Sequence, residues 1–262
     1  MLTERSARVV AAVKLHRHVV RKREQRFLAE GPNLVEAAIR RGLAVEVFAT
    51  ESAAQRHGEL LASVRAPVHQ ISDRAAKALS DTVTPAGLVA VCTVPEPDLG
   101  GLLADAPHLV AVAVGIGEPG NAGTLIRIAD ATGASLVVLT GNSVDPYNGK
   151  CLRASAGSVF NVPVVVAADT DAVLAALRES GLQLLATALD GDLSLDDADP
   201  VLTAPTAWLF GPESHGLPAA VAAAADHRVH IPMSGGAESL NVAAAAAICL
   251  YQSARAQRGA RS

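Results

Sequence analysis

The sequence predicts an α/β protein of two domains, the larger built on a mostly parallel sheet covered on both faces. Three observations predict it. Apolar runs such as Leu109–Val114 show no polar alternation, as expected of strands buried on both sides. Stretches with helix punctuation alternate with strand-like runs along the whole chain. A Pro- and Gly-rich stretch, Pro95-Glu96-Pro97-Asp98-Leu99-Gly100-Gly101, divides the alternation into two series.

In the first series, residues 1–25 read as helix and basic loop. Residues 27–31 read as a short strand ending at Gly31. A helix over 32–41 has Pro32 near its start and Gly42 after its end, the asymmetry helices favour. A strand over 45–49, a helix over 52–63 and a strand over 68–71 follow. Ser72 and Asp73 start a helix running to Leu79, and residues 87–94 form a strand. The expected boundaries are a small domain over 1–94, a linker over 95–107 and a larger domain over 108–262.

The second series opens with the strand at Leu109–Val114, then a helix over 122–132 closed by Gly133. Strands are expected at 136–139, 162–166, 182–189, 208–210 and 229–231, and helices at 171–180, 218–225 and 239–257. In such a sheet, ligand loops gather at the carboxyl ends of the strands.

Composition sets limits on function. Half of the 262 residues are apolar, enough for a sizeable core. No apolar run reaches the length of a bilayer span and no signal-peptide pattern opens the chain, so a soluble cytoplasmic protein without a membrane partner is expected. Cys92, Cys151 and Cys249 are odd in number and far apart, as buried free thiols are, and the eight histidines are scattered without metal-ligand spacing. No metal is expected. The net charge of −4 is unevenly placed. Residues 1–30 hold eight Lys/Arg against Glu4, Glu24 and Glu30, a net of +5, leaving −9 for the other 232. A basic front on an acidic body points to a polyanion, most simply nucleic acid; a solvated helical face has the same pattern. Only 3% of residues are aromatic, so phosphate contacts and shape rather than base stacking must carry RNA affinity.

Three stretches carry the chemistry. The first follows the strand at 109–114. Gly115-Ile116-Gly117-Glu118-Pro119-Gly120 is formally a dinucleotide-binding G-x-G-x-x-G between strand and helix. No acidic residue ends the next strand to hold a ribose, where Thr140-Gly141-Asn142 stands instead. Beyond the glycines lies Asn121-Ala122-Gly123-Thr124-Leu125-Ile126-Arg127, with Asn121 at a plausible N-cap. Arg127 is either a solvent-facing arginine or a guanidinium held for a phosphate. The second stretch is Leu209-Phe210-Gly211-Pro212-Glu213-Ser214-His215-Gly216-Leu217. It is either a plain turn or a loop that wraps a ligand and points Glu213 into a site. The third is residues 231–247, where Ile231-Pro232 leads into a small-residue loop and Glu238-Ser239-Leu240-Asn241 opens a nearly pure alanine helix. A helix start is a natural place to hold a ligand.

Together, NAGTLIRIADATGA (121–134), LFGPESHGL (209–217) and IPMSGGAESLNVAAA (231–245) resemble, in order and spacing, the three motifs of the SpoU (TrmH-like) family of RNA ribose 2′-O-methyltransferases in the SPOUT superfamily. Residues 150–160 resemble the family's linking segment. RFLAEGPNLVEAA (26–38) and TPAGLVAV (84–91) resemble its substrate domain, which is similar to small ribosomal RNA-binding proteins. The resemblance implies a C-terminal domain with a deep trefoil knot, S-adenosyl-L-methionine as cofactor, a homodimer formed through that domain, and RNA as substrate. It places cofactor contacts at Gly211, Ile231 and Leu240, and further at Thr140 and Leu189. It places the catalytic set at Asn121, Arg127, Glu213, Ser239 and Asn241. Departures are small: Pro212 replaces a commoner polar or small residue, and Ala243 follows Val242 where the family often has serine.

The resemblance usually makes the arginine the general base. An arginine is almost never deprotonated in a protein, so a phosphate clamp by Arg127 is the physically simpler role. Glu213 would balance its charge, while Ser239 and Asn241 position the hydroxyl or Arg127. The two-domain layout favours ribosomal over transfer RNA. The other readings are a transfer-RNA methyltransferase, a nicotinamide-dependent oxidoreductase resting on Gly115, Gly117 and Gly120, and a non-catalytic RNA-binding protein.

Overall fold

The structure, a computed structural model, describes residues 1–260. The chain forms two compact units. The first is Met1–Pro95 together with Tyr147–Phe160; the second is Glu96–Pro146 together with the chain from Asn161 onward.

The first unit is a four-stranded mixed sheet of β1 (Arg26–Glu30), β2 (Ala44–Ala49), β3 (Val68–Gln70) and β4 (Leu88–Thr93), in the order β1-β4-β2-β3. β4 is antiparallel to both β1 and β2, whereas β2 and β3 run parallel. Its core is built on Phe48, Ile71, Leu79 and Val89, with Val9, Ala12 and Leu15 packing from the N-terminal helical stretch. Local signals explain the helices. Ser72 Oγ accepts from Ala75 N–H to cap Asp73–Leu79, and Pro32 opens Pro32–Arg40 behind Gly31, whose φ of +90° suits only glycine. The helix expected over 52–63 is two short helices, Glu51–Arg56 and Gly58–Ala62, broken at His57. Tyr147–Phe160 joins this unit through aromatic packing: the Phe27 ring lies 4.7 Å from Tyr147 and 6.1 Å from Phe160.

The second unit is a seven-stranded sheet with every pairing parallel. Its strands are β5 (Leu109–Val114), β6 (Leu136–Thr140), β7 (Val164–Ala167), β8 (Gln183–Thr187), β9 (Leu193–Ser194), β10 (Thr206–Phe210) and β11 (His227–His230). Their order is β7-β6-β5-β10-β8-β11-β9. Every residue of β5, β6 and β10 is buried. Side chains alternate across such strands. Val110, Val112, Val138, Leu184 and Leu209 therefore pack on one face, against Leu103, Leu174, Leu177 and Val221 of the helices Leu99–Ala104, Thr170–Glu179 and Ala219–Ala224. The segment expected as linker thus contains a helix, capped by Asp98 onto Gly101 N–H. The opposite face is covered by the helices Pro119–Thr132 and Val242–Ala260. There Ala111 and Ala113 lie beside Trp208 and Phe210 in register, small against large. Buried Trp208 Nε1 donates to buried Ser253 Oγ at 2.8 Å, satisfying the one polar atom of the indole.

Candidate functional site

The carboxyl ends of β8, β10 and β11 are neighbours, because the sheet order sets β8 between the other two. Each strand hands the chain to a loop there: residues 188–192 after β8, 211–217 after β10 and 231–240 after β11. The three loops wall a cavity of about 380 Å³. Four of the five residues expected to contact a cofactor, Leu189, Gly211, Ile231 and Leu240, line it, together with Glu213 and Ser239. Thr140 does not. It ends β6, which β5 separates from β10; it is fully buried, with its hydroxyl 3.0 Å from that of Thr170.

Gly211 is required by space. A Cβ there would stand 2.5 Å from Gly216 C and Leu217 N and 2.8 Å from Gly216 O, all backbone atoms. The loop folds back on itself through Gly216 N–H donating to Pro212 O at 2.8 Å, with Gly216 at φ +67°.

Glu213, Asn121 and Asn241 meet although they lie far apart in sequence. Glu213 Oε1 accepts from Asn121 Nδ2 (2.8 Å), Asn241 Nδ2 (2.6 Å) and Val242 N–H (3.3 Å). Asn241 Nδ2 also donates to Asn121 Oδ1 at 3.0 Å. Asn241 Oδ1 in turn accepts from Ala243 and Ala244 N–H, at 3.0 and 3.3 Å.

This geometry corrects two expectations. The alanine-rich helix starts at Val242 and not at Ser239, and its first N–H groups are taken by Asn241 and Glu213 rather than left open to a ligand. Asn121 is not an N-cap: the helix is Pro119–Thr132, and Glu118 caps it onto Gly120 N–H. Asn121 therefore sits inside the first turn, with its amide turned to Glu213.

Arg127 stands apart. It is exposed, is not among the residues lining the cavity, and no side-chain hydrogen bond or ion pair reaches it among the described residues. The expected charge balance with Glu213 is not made. Six residues beyond Asn121, at about 100° each, it projects from a different side of the helix.

The glycine loop has several of its polar groups already paired within the chain. The carboxylate of Glu118 occupies the helix start, Gly115 N–H donates to Thr140 O at 3.0 Å, and Ile116 N–H donates to Ser143 Oγ at 3.1 Å. Two loop amides and one at the helix start are thus spent inside the chain, which counts against a pyrophosphate site there. No cluster of His, Cys, Asp and Glu could hold a metal ion among the described residues.

The sequence reading passed over Asp190 and Arg228, which line the cavity, and Gly191 and His230, which pair with each other behind them. Three polar residues in the four-residue strand His227–His230 were the available signal.

Residues 108–251 match the model of the SpoU rRNA Methylase family, and residues 7–90 match an MRM3-like substrate binding domain. The chain is 33% identical over 238 residues to the 23S rRNA (guanosine(2553)-2′-O)-methyltransferase RlmP of Bacillus subtilis, covering 91% of this chain and 92% of that protein. It is 32% identical over 251 residues to the 23S rRNA (uridine(2479)-2′-O)-methyltransferase of Streptomyces viridochromogenes, covering 92% and 87%. Among solved structures, the SpoU methyltransferase AviRb from S. viridochromogenes in complex with AdoMet superposes with a TM-score of 0.86 at 31% identity, over 97% of this chain and all of that one. With the model spanning more than half of the chain and relatives a third identical over nine-tenths of it, the protein belongs to the SpoU rRNA methylase family, in the SPOUT superfamily.

Proposed function

We propose that this protein methylates a ribose 2′-hydroxyl of ribosomal RNA, using S-adenosylmethionine held in the cavity at the ends of β8, β10 and β11. The observation that carries the reading is the convergence there of three loops, with Glu213, which lines the cavity, bonded to both Asn121 and Asn241. The cavity fits the cofactor. Its volume of about 380 Å³ lies within the range of small-molecule sites, and Leu189, Ile231 and Leu240 give it apolar walls beside a few polar groups. Gly211 lets backbone approach closely. When bound, S-adenosylmethionine supplies an electrophilic methyl group on a sulfonium.

The residues of the chain then have distinct tasks. Glu213 fixes both asparagine amides and ties them to the start of the last helix, so Asn121 and Asn241 are held in place before substrate arrives. Holding groups in reacting geometry lowers a barrier by several kcal/mol. Ser239, on the rim of the cavity, is placed to orient the hydroxyl. Arg127 stays protonated and holds a phosphate beside the target ribose, a role its exposed, unpaired guanidinium supports. Thr140 contributes only as a buried support.

Several features support ribosomal RNA over transfer RNA. The substrate-binding match covers 7–90, and two relatives alike over about nine-tenths of the chain are named 23S rRNA methyltransferases, while others alike over as much are named only tRNA/rRNA methyltransferases. The basic first 30 residues fit an RNA backbone. The reading also includes residues 1–94 as the RNA-binding part, a trefoil knot in the C-terminal part, a cytoplasmic location and a homodimer. Ile248 and Tyr251, exposed one turn apart on the last helix, support pairing through that helix. No helix among the described residues is long and apolar enough to cross a membrane.

The test is methyl transfer. The protein is incubated with methyl-labelled S-adenosylmethionine and unmodified ribosomal and transfer RNA, and the RNA is digested to nucleosides. Label on ribose 2′-oxygens of ribosomal RNA is the expected result. Label on bases, or on transfer RNA alone, overturns the assignment.

A further inference from the structure

One side of the cavity is held by contacts that the family motifs do not include. Arg228 and His230, two apart on β11, project to the same side of the strand. Arg228 Nη2 donates to Asp190 O at 3.0 Å, and its Nη1 reaches the Asp190 carboxylate at 3.3 Å. His230 Nδ1 lies 2.9 Å from Gly191 O. Two successive carbonyls of the 188–192 loop are thus bonded by side chains of the neighbouring strand. Just before them Ala188 N–H donates to Val229 O at 3.0 Å, and just after them Leu193 and Ser194 pair with β11. Gly191 lies so close on β11 that a Cβ would stand 2.7 Å from Arg228 O and 2.8 Å from His230 N. Leu189, from the same loop, lines the cavity while 70% exposed. With so little packing to hold it, its place depends on the backbone beneath it.

We propose that Arg228 and His230 are positioning residues that clasp the 188–192 loop into a preformed wall of the cavity and so set the affinity for S-adenosylmethionine. The proposal rests on the reading of this cavity as the cofactor site. A wall ordered before the ligand arrives spares the ordering cost at binding, which is where preorganisation gains affinity. Arg228 acts through the loop: its planar fork bonds a backbone carbonyl and a carboxylate in one fixed geometry, which lysine's flexible ammonium holds less firmly.

The test uses the full chain and isothermal calorimetry with S-adenosylmethionine, alongside amide hydrogen exchange of the ligand-free protein. Arg228→Met is expected to bind about 5- to 10-fold more weakly, as the loss of one or two partly exposed hydrogen bonds implies. Exchange across 188–194 should rise while the melting temperature stays within a few degrees. Arg228→Lys should fall between the two proteins. Gly191→Ala leaves both side chains intact but lifts the loop, and should weaken binding comparably. The Arg228→Met/Gly191→Ala pair should then lose less than the sum of the two, because both act on one loop. If the wild-type protein does not bind the cofactor, the reading of the cavity fails. If it binds and Arg228→Met binds equally well, the clasp fails. Weaker binding by Arg228→Met with unchanged exchange, or with Gly191→Ala unaffected, also overturns it, since Arg228 then acts on the ligand directly. Should Arg228→Met not fold, His230→Ala removes the other half of the clasp and is judged by the same two readouts.

Discussion

Replacing Gly211 by alanine tests whether the 211–217 loop shapes the cavity as its backbone packing requires. Gly211 is not in the left-handed region, so alanine meets no dihedral penalty there; the obstacle is space. The new Cβ would stand 2.5 Å from Gly216 C and Leu217 N, against an ordinary separation of about 3.5–4.0 Å between carbon atoms. All three nearest atoms are backbone, so no side chain can swing away, and the loop must move by roughly 1 Å. Overpacking of this kind costs about 1–3 kcal/mol. In a chain of this size, each kcal/mol lowers the melting temperature by roughly 2–4 °C. The larger effect falls on ligand binding, because the displaced residues include Glu213 and one wall of the cavity. In turnover, misplacement by about 1 Å costs on the order of 10²-fold, so methyl transfer should fall along with binding. The assay is a thermal melt followed by calorimetric titration with S-adenosylmethionine. Gly235→Ala is the control, since nothing lies within 4 Å of its Cβ position and its φ is not positive; it should match the parent in stability. A Gly211→Ala protein that melts with the parent and binds the cofactor equally well would refute the packing argument.

The remaining predictions address separate links. Arg127→Ala should lower methyl transfer by about 10²-fold or more while cofactor affinity stays within about twofold, since the residue is exposed and outside the cavity; loss of cofactor binding in the folded variant contradicts the phosphate role. Glu213→Gln keeps an oxygen acceptor but exchanges charge-assisted bonds for neutral ones of about half the strength, so turnover should drop at least about tenfold with only a small change in melting; unchanged turnover would reduce the network to a helix cap. Ser253→Ala leaves the buried Trp208 N–H without its acceptor and should cost about 1–3 kcal/mol. Trp208 is the chain's only tryptophan, so its own fluorescence in a urea titration reports that loss. Burial pushes the Cys92 and Cys249 thiols well above their ordinary value of about 8.5. Above that pH the unfolded chain releases protons that the folded chain keeps, so stability falls as pH rises, by up to about 1.4 kcal/mol per unit and per thiol. Replacing both cysteines by alanine should flatten the urea midpoint between pH 8 and 10, and an unchanged slope would discount the effect.

How far the sequence could be read depended on whether the deciding contact was local. β5 falls on Leu109–Val114 as expected: six consecutive apolar residues, three of them β-branched, suit a doubly covered strand. Gly133 ends its helix, at φ +76°, because the termination is set within one turn. The Leu99–Ala104 helix was hidden for the opposite reason. Gly100 and Gly101 make it a poor helix by propensity, and it survives because Leu103 packs into the core of the second unit. The assignment of Tyr147–Phe160 to the first unit rests on rings more than a hundred residues from Phe27, which no periodicity records.

The site divides along the same line. Loops at strand ends with glycine beside a polar residue are visible in sequence, and Gly211, Glu213, Ile231, Ser239 and Leu240 all came to one cavity. What sequence patterning could not supply is the partner of each group. Glu213 is 92 residues from Asn121 and 28 from Asn241, and only the parallel sheet order brings their loops together. The resemblance suggests Glu213 as a charge set against Arg127. In the fold its Oε1 carries three N–H donors, so its first task is to orient two amides. Thr140 shows the converse: a polar residue at a strand end, in the position a ligand contact occupies, is spent on Thr170 because its strand lies on the far side of β5. Strand order, rather than residue type, therefore decides which of these chemically similar strand ends can touch a ligand. The same rule explains why Arg228 and His230, with no motif to mark them, fall beside the cavity: β11 is the immediate neighbour of β8.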